Sequence, residues 1–283
     1  GTDAVIAQIP TIFSTDLGPG RNKLFIRGVA DSSFNGPTQS TVGQYLGDVR
    51  LTYSAPDPSL NLYDVERVEV LAGPQGTLYG TGAIGGIIRF VPAAPDPSES
   101  AATATAGLAH TNKGGFSSDL AAMVNVPLAT DRVGLRAVGY LVVDGGYIDD
   151  PSRVLINVNR VSSWGGRLAL RLTPGDDWTV DIGGVVQNIS GRDGQYILRG
   201  APDLTRSNRI AQPYDNDFRL VSVTFAKDWG GLTLTSSTGF ARHDLDSRFD
   251  ASPAPTSPAR LFDDSEAIAL FSHETRLVGG SGG

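Results

Sequence analysis

The chain has 283 residues, 40% hydrophobic and only 19% charged, with 35 Gly, 17 Pro, no Cys and a net charge of −7. Lack of Cys excludes a disulfide framework, a thiolate metal site and a Cys nucleophile. The negative balance argues against a nucleic-acid partner, which needs clustered Lys and Arg to neutralise phosphates. The length allows two structural units, and abundant Gly without sustained helical periodicity favours β structure. No apolar run approaches the roughly 18 residues of a membrane-spanning helix. No basic-then-apolar leader precedes the first element, so Gly1 is expected to begin a mature, trimmed or partial polypeptide.

In residues 1–24, Ala4-Val5-Ile6-Ala7 and Thr11-Ile12-Phe13 read as a helix end or short strand. Leu24 to Val29 is a strand, Asp31 to Thr41 a loop, Val42 to Tyr53 strand and turn, and Ala55 to Leu60 a Pro-rich loop. From Asp64 to Leu71, Val65, Val68, Val70 and Leu71 form an apolar set and Glu66, Arg67 and Glu69 a charged one. That pattern is a short strand with one wet face. Gly73-Pro74-Gln75-Gly76 forces a turn, because Pro presets φ and Gly permits φ > 0. Four more glycines follow, at 80, 82, 85 and 86, before Ile87 to Val91 restarts a strand that Pro92 stops. Ala93-Ala94-Pro95-Asp96-Pro97 is a linker.

Beyond the linker the pattern changes to alternating segments of about ten residues. Strands are expected near 101–111, 117–127, 132–143, 163–172, 178–189, 217–227, 232–243 and 266–278. Leu168, Leu170 and Leu172 share one face of the fourth, with Arg167 and Arg171 on the other. Leu128 to Asp131, Thr173 to Asp177 and Asp228 to Gly231 are tight turns, whereas Asp144 to Ser162, Ser190 to Asn216 and Asp244 to Ser265 are long polar loops. On the long side only Asn112 to Gly115 is short. Tight turns at one end and long loops at the other, joining strands with a period of two, are the pattern of a transmembrane β-barrel. A soluble β-sandwich has less reason to put its long loops on one side.

Catalytic chemistry finds no converging set of residues. Gly80-Thr81-Gly82-Ala83-Ile84-Gly85 spells G-x-G-x-x-G, but a nucleotide site needs a strand before it, a helix after it and an acid about 20 residues on. A Gly-Pro turn precedes it, a β-rich segment follows, and Thr105 stands at that distance. His110, His243 and His273 lie far apart without metal-ligand spacing. Asp215-Asn216-Asp217 lacks the glycine and the twelfth-position Glu of a calcium loop. No G-x-S-x-G elbow occurs.

Three pieces, Phe25-Ile26-Arg27-Gly28-Val29, Thr41-Val42-Gly43-Gln44-Tyr45-Leu46-Gly47-Asp48-Val49 and residues 64–91, resemble the plug domain of TonB-dependent outer-membrane receptors in order and spacing. The second half resembles the same family more loosely, at Asp144-Gly145-Gly146-Tyr147-Ile148-Asp149 and Ser272-His273-Glu274-Thr275-Arg276-Leu277. The sequence departs from the family at Ala72, where an arginine is common, and at Gly47-Asp48, where Asp-Gly is usual. The resemblance implies a mostly β chain: a small α+β plug over residues 1–97, then antiparallel barrel strands over residues 98–283. It also implies a non-enzymatic receptor without a cofactor, in the outer membrane of a Gram-negative bacterium. Its partners would be the TonB complex, outer-membrane lipid and a small-molecule or metal-chelate ligand. A ferric siderophore is the default cargo, with cobalamin or a saccharide as alternatives. The rival readings are a passive porin-type channel and a soluble β-rich carbohydrate-binding or enzyme module.

Plugged transporters have about 22 strands, and eight cannot close around a plug of this size, so a fragment is expected. It would lack the amino-terminal segment that contacts TonB. Arg27, Glu66, Arg67 and Glu69 are candidates for ion pairs between plug and barrel wall. Phe34, Asn35, Gln39, Tyr53, Arg192, Tyr196 and Arg199 mix aromatic and polar character and are candidates for ligand contact.

Overall fold

The computed structural model describes residues 9–15, 17–28, 40–53, 56–75, 83–175, 177–197, 200, 202–253 and 258–279. The first unit is built from short strands. β1 (Ile12–Ser14) pairs with β2 (Leu24–Ile26), and a four-stranded sheet runs β4 (Val49–Arg50), β3 (Val42–Leu46), β6 (Gly86–Pro92), β5 (Val65–Ala72). The β3–β6 pair is parallel and the other two are antiparallel. Ile12, Leu24, Ile26, Val42, Ile88 and Phe90 form its core. Gly86 sits at φ 141 where β2, β5 and β6 converge, and a Cβ there would collide with the Leu71 carbonyl. Only glycine fits that position.

The expected strand-turn at 42–53 is a two-residue hairpin, with Leu46 opposite Val49 and Gly47 at φ 59. Gly at the first central position is what a type II′ hairpin turn requires, so the inverted order Gly47-Asp48 is compatible with a tight turn. Among the described residues the first unit contains no α-helix. The helical portion expected in it falls partly on residues 1–8, outside the described ones.

The second unit is one antiparallel sheet of eight strands in simple up-and-down order. They are β7 (Ala101–His110), β8 (Phe116–Ala129), β9 (Val133–Asp144), β10 (Val161–Gly175), β11 (Trp178–Gly191), β12 (Tyr214–Asp228), β13 (Leu232–Asp250) and β14 (Leu261–Gly279). The sheet is open, since β7 and β14 do not pair with each other. No helix among the described residues is long and apolar enough to cross a membrane, which says nothing about strands.

One face of this wall carries Leu120, Leu168, Ile182, Val221, Phe240 and Phe271, all exposed. Trp178 and Trp229 flank that apolar band at the turn end, where Lys227 reaches over both rings and pairs with Asp177. Toward the loop end the same face becomes charged, with Arg219–Asp217 and Arg242–Asp244 pairs. Here one sequence expectation needs correction. Residues 244–265 are not a long loop, because β13 continues to Asp250 and β14 begins at Leu261. The run Asp244-Leu245-Asp246-Ser247-Arg248-Phe249-Asp250 is rich in charge but still alternates, and its Arg248–Asp263 ion pair and Phe249–Phe262 ring contact extend the ladder. Cross-strand pairs of this kind stabilise strands whatever their polarity.

The first unit packs on the other face of the wall. Val49, Leu51 and Leu60 join Phe218, Leu220 and Ala241 in a shared core. Val49 enters a notch at Gly239, where any Cβ would strike its side chain.

Candidate functional site: the contact between plug and wall

Two carboxylates on the first unit are each held by two arginines. Asp64, just before β5, sits at φ 58, a left-handed conformation that Asp tolerates better than most residues. Its carboxylate accepts from Arg136 of β9 at 2.5 and 2.7 Å and from Arg167 of β10 at 2.6 Å. Its carbonyl accepts from Arg167 as well, at 2.8 Å. Side-chain exposures of 11–13% make this a largely desolvated cluster. Asp48 accepts from Arg89 of β6 at 2.8 Å and from Arg276 of β14 at 3.1 Å. Neutral groups hold the span between these clusters. Gln187 of β11 is buried; it accepts from the Asn61 N–H (2.9 Å) and the Tyr140 hydroxyl (2.6 Å) and donates to the Pro58 carbonyl (2.7 Å).

His243 of β13 completes the contact. Asn216 donates its amide N–H to the Gly20 carbonyl at 2.7 Å, so its oxygen faces His243 Nε2 at 2.8 Å. Nε2 must then carry the proton, leaving Nδ1 to accept from the Tyr53 hydroxyl at 2.8 Å. Burial, and then the Asp57 charge, push the Tyr53 hydroxyl well above its ordinary pKa, so it remains a donor.

Between the Asp48 and Asp64 clusters lies a cavity of about 340 Å³. Its wall side includes small and charged residues, among them Ala169, Gly183, Ser222, Arg171 and Asp181, together with the apolar Val185 and Leu220.

Of the four charged residues singled out in sequence, Glu66 and Arg67 line this cavity and Glu69 pairs beside it, whereas Arg27 does not reach it. Arg67 pairs with Glu66 at 2.5 Å and with Glu69 at 2.7 Å, and Glu69 with Arg89 at 3.2 Å, all within the first unit. Hydrogen bonding from Arg67 holds the Glu69 carboxyl below its usual range. Glu66 and Arg67 line the cavity that faces Arg167 and Arg171, without an ion pair to the wall among the described residues. Arg27 is exposed at φ 54 and forms no ion pair among the described residues. The residues that do pair across the contact, Asp48, Asp64, Arg136, Arg167 and Arg276, were not singled out for that role. A signal for part of the set was present in the arginines opposite the leucine stripe of β10, which require carboxylates from whatever faces them.

Of the ligand-contact candidates, Tyr53 lies in the hydrogen-bonded chain above. Tyr196 donates to Gln212 at 2.6 Å and lies under Arg206, 4.9 Å from its ring centroid, and Arg192 is exposed on the same loop. Phe34, Asn35, Gln39 and Arg199 lie outside the described residues. No group of three or more His, Cys, Asp or Glu residues among the described ones could hold a metal ion.

A small mixed-sheet domain clamped to one face of an up-and-down antiparallel wall defines a plug-and-barrel architecture. The family model described as the TonB-dependent Receptor Plug Domain matches residues 2–87. Residues 2–87 thus match a TonB-dependent receptor plug, and the chain as a whole has the fold of solved siderophore-uptake receptors. It is similar to the ferric yersiniabactin uptake receptor of Yersinia pestis (18% identity, TM-score 0.70, 96% of this chain and 42% of that one). It is also similar to the siderophore receptor PiuA of Acinetobacter baumannii (14%, TM-score 0.71, 99% and 40%). A third similar structure is the ferripyoverdine receptor of the Pseudomonas aeruginosa outer membrane (15%, TM-score 0.74, 98% and 37%). The chain thus spans about two fifths of the length of these receptors.

Proposed function

We propose that this chain is the plug-bearing part of an outer-membrane receptor that imports a scarce, bulky solute, with a ferric siderophore the leading cargo and TonB the source of mechanical work. The observation that carries the reading is the clamped plug. Asp64 and Asp48 each bridge to wall arginines, and a cavity of about 340 Å³ lies between them. A passive porin needs no such clamp, and a soluble module has no use for an exposed apolar band with tryptophans at its turn end. In this reading the apolar band faces outer-membrane lipid, the long loops face outward and take up the ligand, and the turns face the periplasm. Plug and barrel divide near residues 93–97. The intraplug cluster Glu66, Arg67 and Glu69, with Arg89, keeps β5 rigid beside the cavity. Arg27, exposed on the plug, is open to contact with the rest of the barrel.

Growth on ferric chelates tests this. A strain lacking the receptor, starved of iron, should fail on at least one chelate, and the native gene should restore growth only when TonB is present. Restoration without TonB would contradict energised import.

A further inference from the structure

The plug turn at residues 17–22, between β1 and β2, enters the contact described above only through the Gly20 carbonyl. Its own hydrogen bonds make it stiff. The Asn22 side-chain oxygen accepts from the N–H groups of Leu17 (2.8 Å) and Gly18 (3.2 Å), and the Arg21 N–H donates to the Gly18 carbonyl at 3.1 Å. Asn216 of β12 holds the turn on the wall, and a second neighbour is Gln195, in the long loop between β11 and β12. Gly18 lies at φ 107, and a Cβ there would stand 2.4 Å from Gln195 Cγ, so the stem of Gln195 rests on bare backbone. Only glycine permits both that φ and that approach.

Gln195 in turn grips the neighbouring loop, between β9 and β10, at Asn159. Its Oε1 accepts from Asn159 Nδ2 at 2.9 Å and its Nε2 donates to the Asn159 carbonyl at 2.7 Å. This two-point hold fixes the direction of the Asn159 amide, whose Oδ1 accepts from the N–H groups of Tyr147 (2.7 Å) and Ile148 (2.8 Å). Asn159 and Ile148 are both buried. Tyr147 and Ile148 belong to the segment Asp144–Asp149 that stood out in the sequence, and one residue earlier the Gly146 carbonyl accepts from Gly115 of the short loop between β7 and β8 at 2.8 Å. One line of contacts thus runs from the plug turn, through a single side chain, to three loops of the wall.

We propose that Gln195 is a positioning residue that couples the seating of the plug to the order of these loops. A seated turn holds the Gln195 stem in place and so holds Asn159; a displaced turn frees Asn159 and, with it, the Tyr147 and Ile148 amides. The loops then loosen when the plug moves, and because coupling is reciprocal, loosened loops also release the turn. Its use in transport rests on the import reading, but the coupling does not, and the test needs neither cargo nor energy. Hydrogen exchange is measured by mass spectrometry on the native receptor in detergent. Gln195→Met keeps a stem over Gly18 and loses both hydrogen bonds to Asn159. Tyr147 and Ile148 should then exchange on the order of tenfold faster, while Leu17 and Gly18 stay slow. Gly18→Ala, made on the plug, should speed the same two amides, which Gly18 reaches only through Gln195, and leave β5 and β6 at parent rates. Combining Gly18→Ala with Gln195→Met should add nothing at Tyr147 and Ile148 beyond Gln195→Met alone, since both changes cut one line. Gly18→Ala with Tyr147 and Ile148 at parent rates, or effects that multiply in the double variant, would overturn the proposal. If Gly18→Ala also speeds β5 and β6, so that the plug itself is disturbed, Gln195→Ala decides: Leu17 and Gly18 should exchange faster, and parent rates there would overturn it.

Discussion

Asp64 and Asp48 both bridge plug and wall, but burial separates their weight. Removing the Asp64 carboxylate leaves Arg136 and Arg167 facing each other at about 13% exposure, with no anion to share. Asp64→Ala should therefore weaken plug docking by about 3 kcal/mol, within the range for breaking a buried pair. Asp48→Ala should cost about 1 kcal/mol or less, because Arg276 is a third exposed and Arg89 keeps Glu69. Urea titration of the purified receptor, followed by protease cleavage at residues 93–97, would rank them; equal effects would contradict the burial argument. The sequence already marked β5 as charged on one face, and Glu66, Arg67 and Glu69 do lie beside the cavity. Which carboxylate crosses to the wall was not legible. That choice depends on Asp64 adopting φ 58 and on a register with β9 and β10 set more than 70 residues later.

All eight wall strands, their order and the tight turns were legible, since apolar and polar residues alternate along their middles with a period of two. Their loop-side ends were not. In β13 and β14 the outward residues become carboxylates and arginines, and in sequence such charge reads as loop where it is a strand emerging beyond the apolar band. The two longest loops share a second hidden feature. Arg153 bridges Asp150 (2.8 Å) and Asp193 (2.5 Å), and Arg206 reaches Asp193 at 3.2 Å, tying residues 145–160 to residues 192–213. Burial pushes the Asp150 carboxyl up, but hydrogen bonds from Ser152, Arg153 and Asn208 outweigh it and leave its pKa below the ordinary 3.8. A depressed folded-state pKa means this stabilisation is present above about pH 3.8 and lost as pH falls through the lower folded value. Hydrogen exchange of the loop amides should stay slow, after correction for intrinsic rates, from pH 7 to pH 4 and accelerate only below that. Loops that loosen between pH 7 and pH 5 would show that another group controls them.

For the molecule as a whole, the plug is joined to the wall by a shared apolar core, by the neutral contacts of Gln187 and His243, and by two ionic clusters beside the cavity. Apolar packing and neutral hydrogen bonds persist in high salt, whereas ion pairs are screened where water reaches them. The Asp48–Arg276 pair, whose arginine is a third exposed, is thus the ionic link expected to yield first when the plug is pulled, before the desolvated Asp64 cluster. Import by this route needs work done on the plug. The most direct measurement is accumulation of a radiolabelled ferric chelate by cells carrying the native receptor, before and after collapse of the proton-motive force. Surface binding should persist while accumulation stops. Accumulation that continues at an unchanged rate would mean that solute passes a resting plug, and energised import would have to be abandoned.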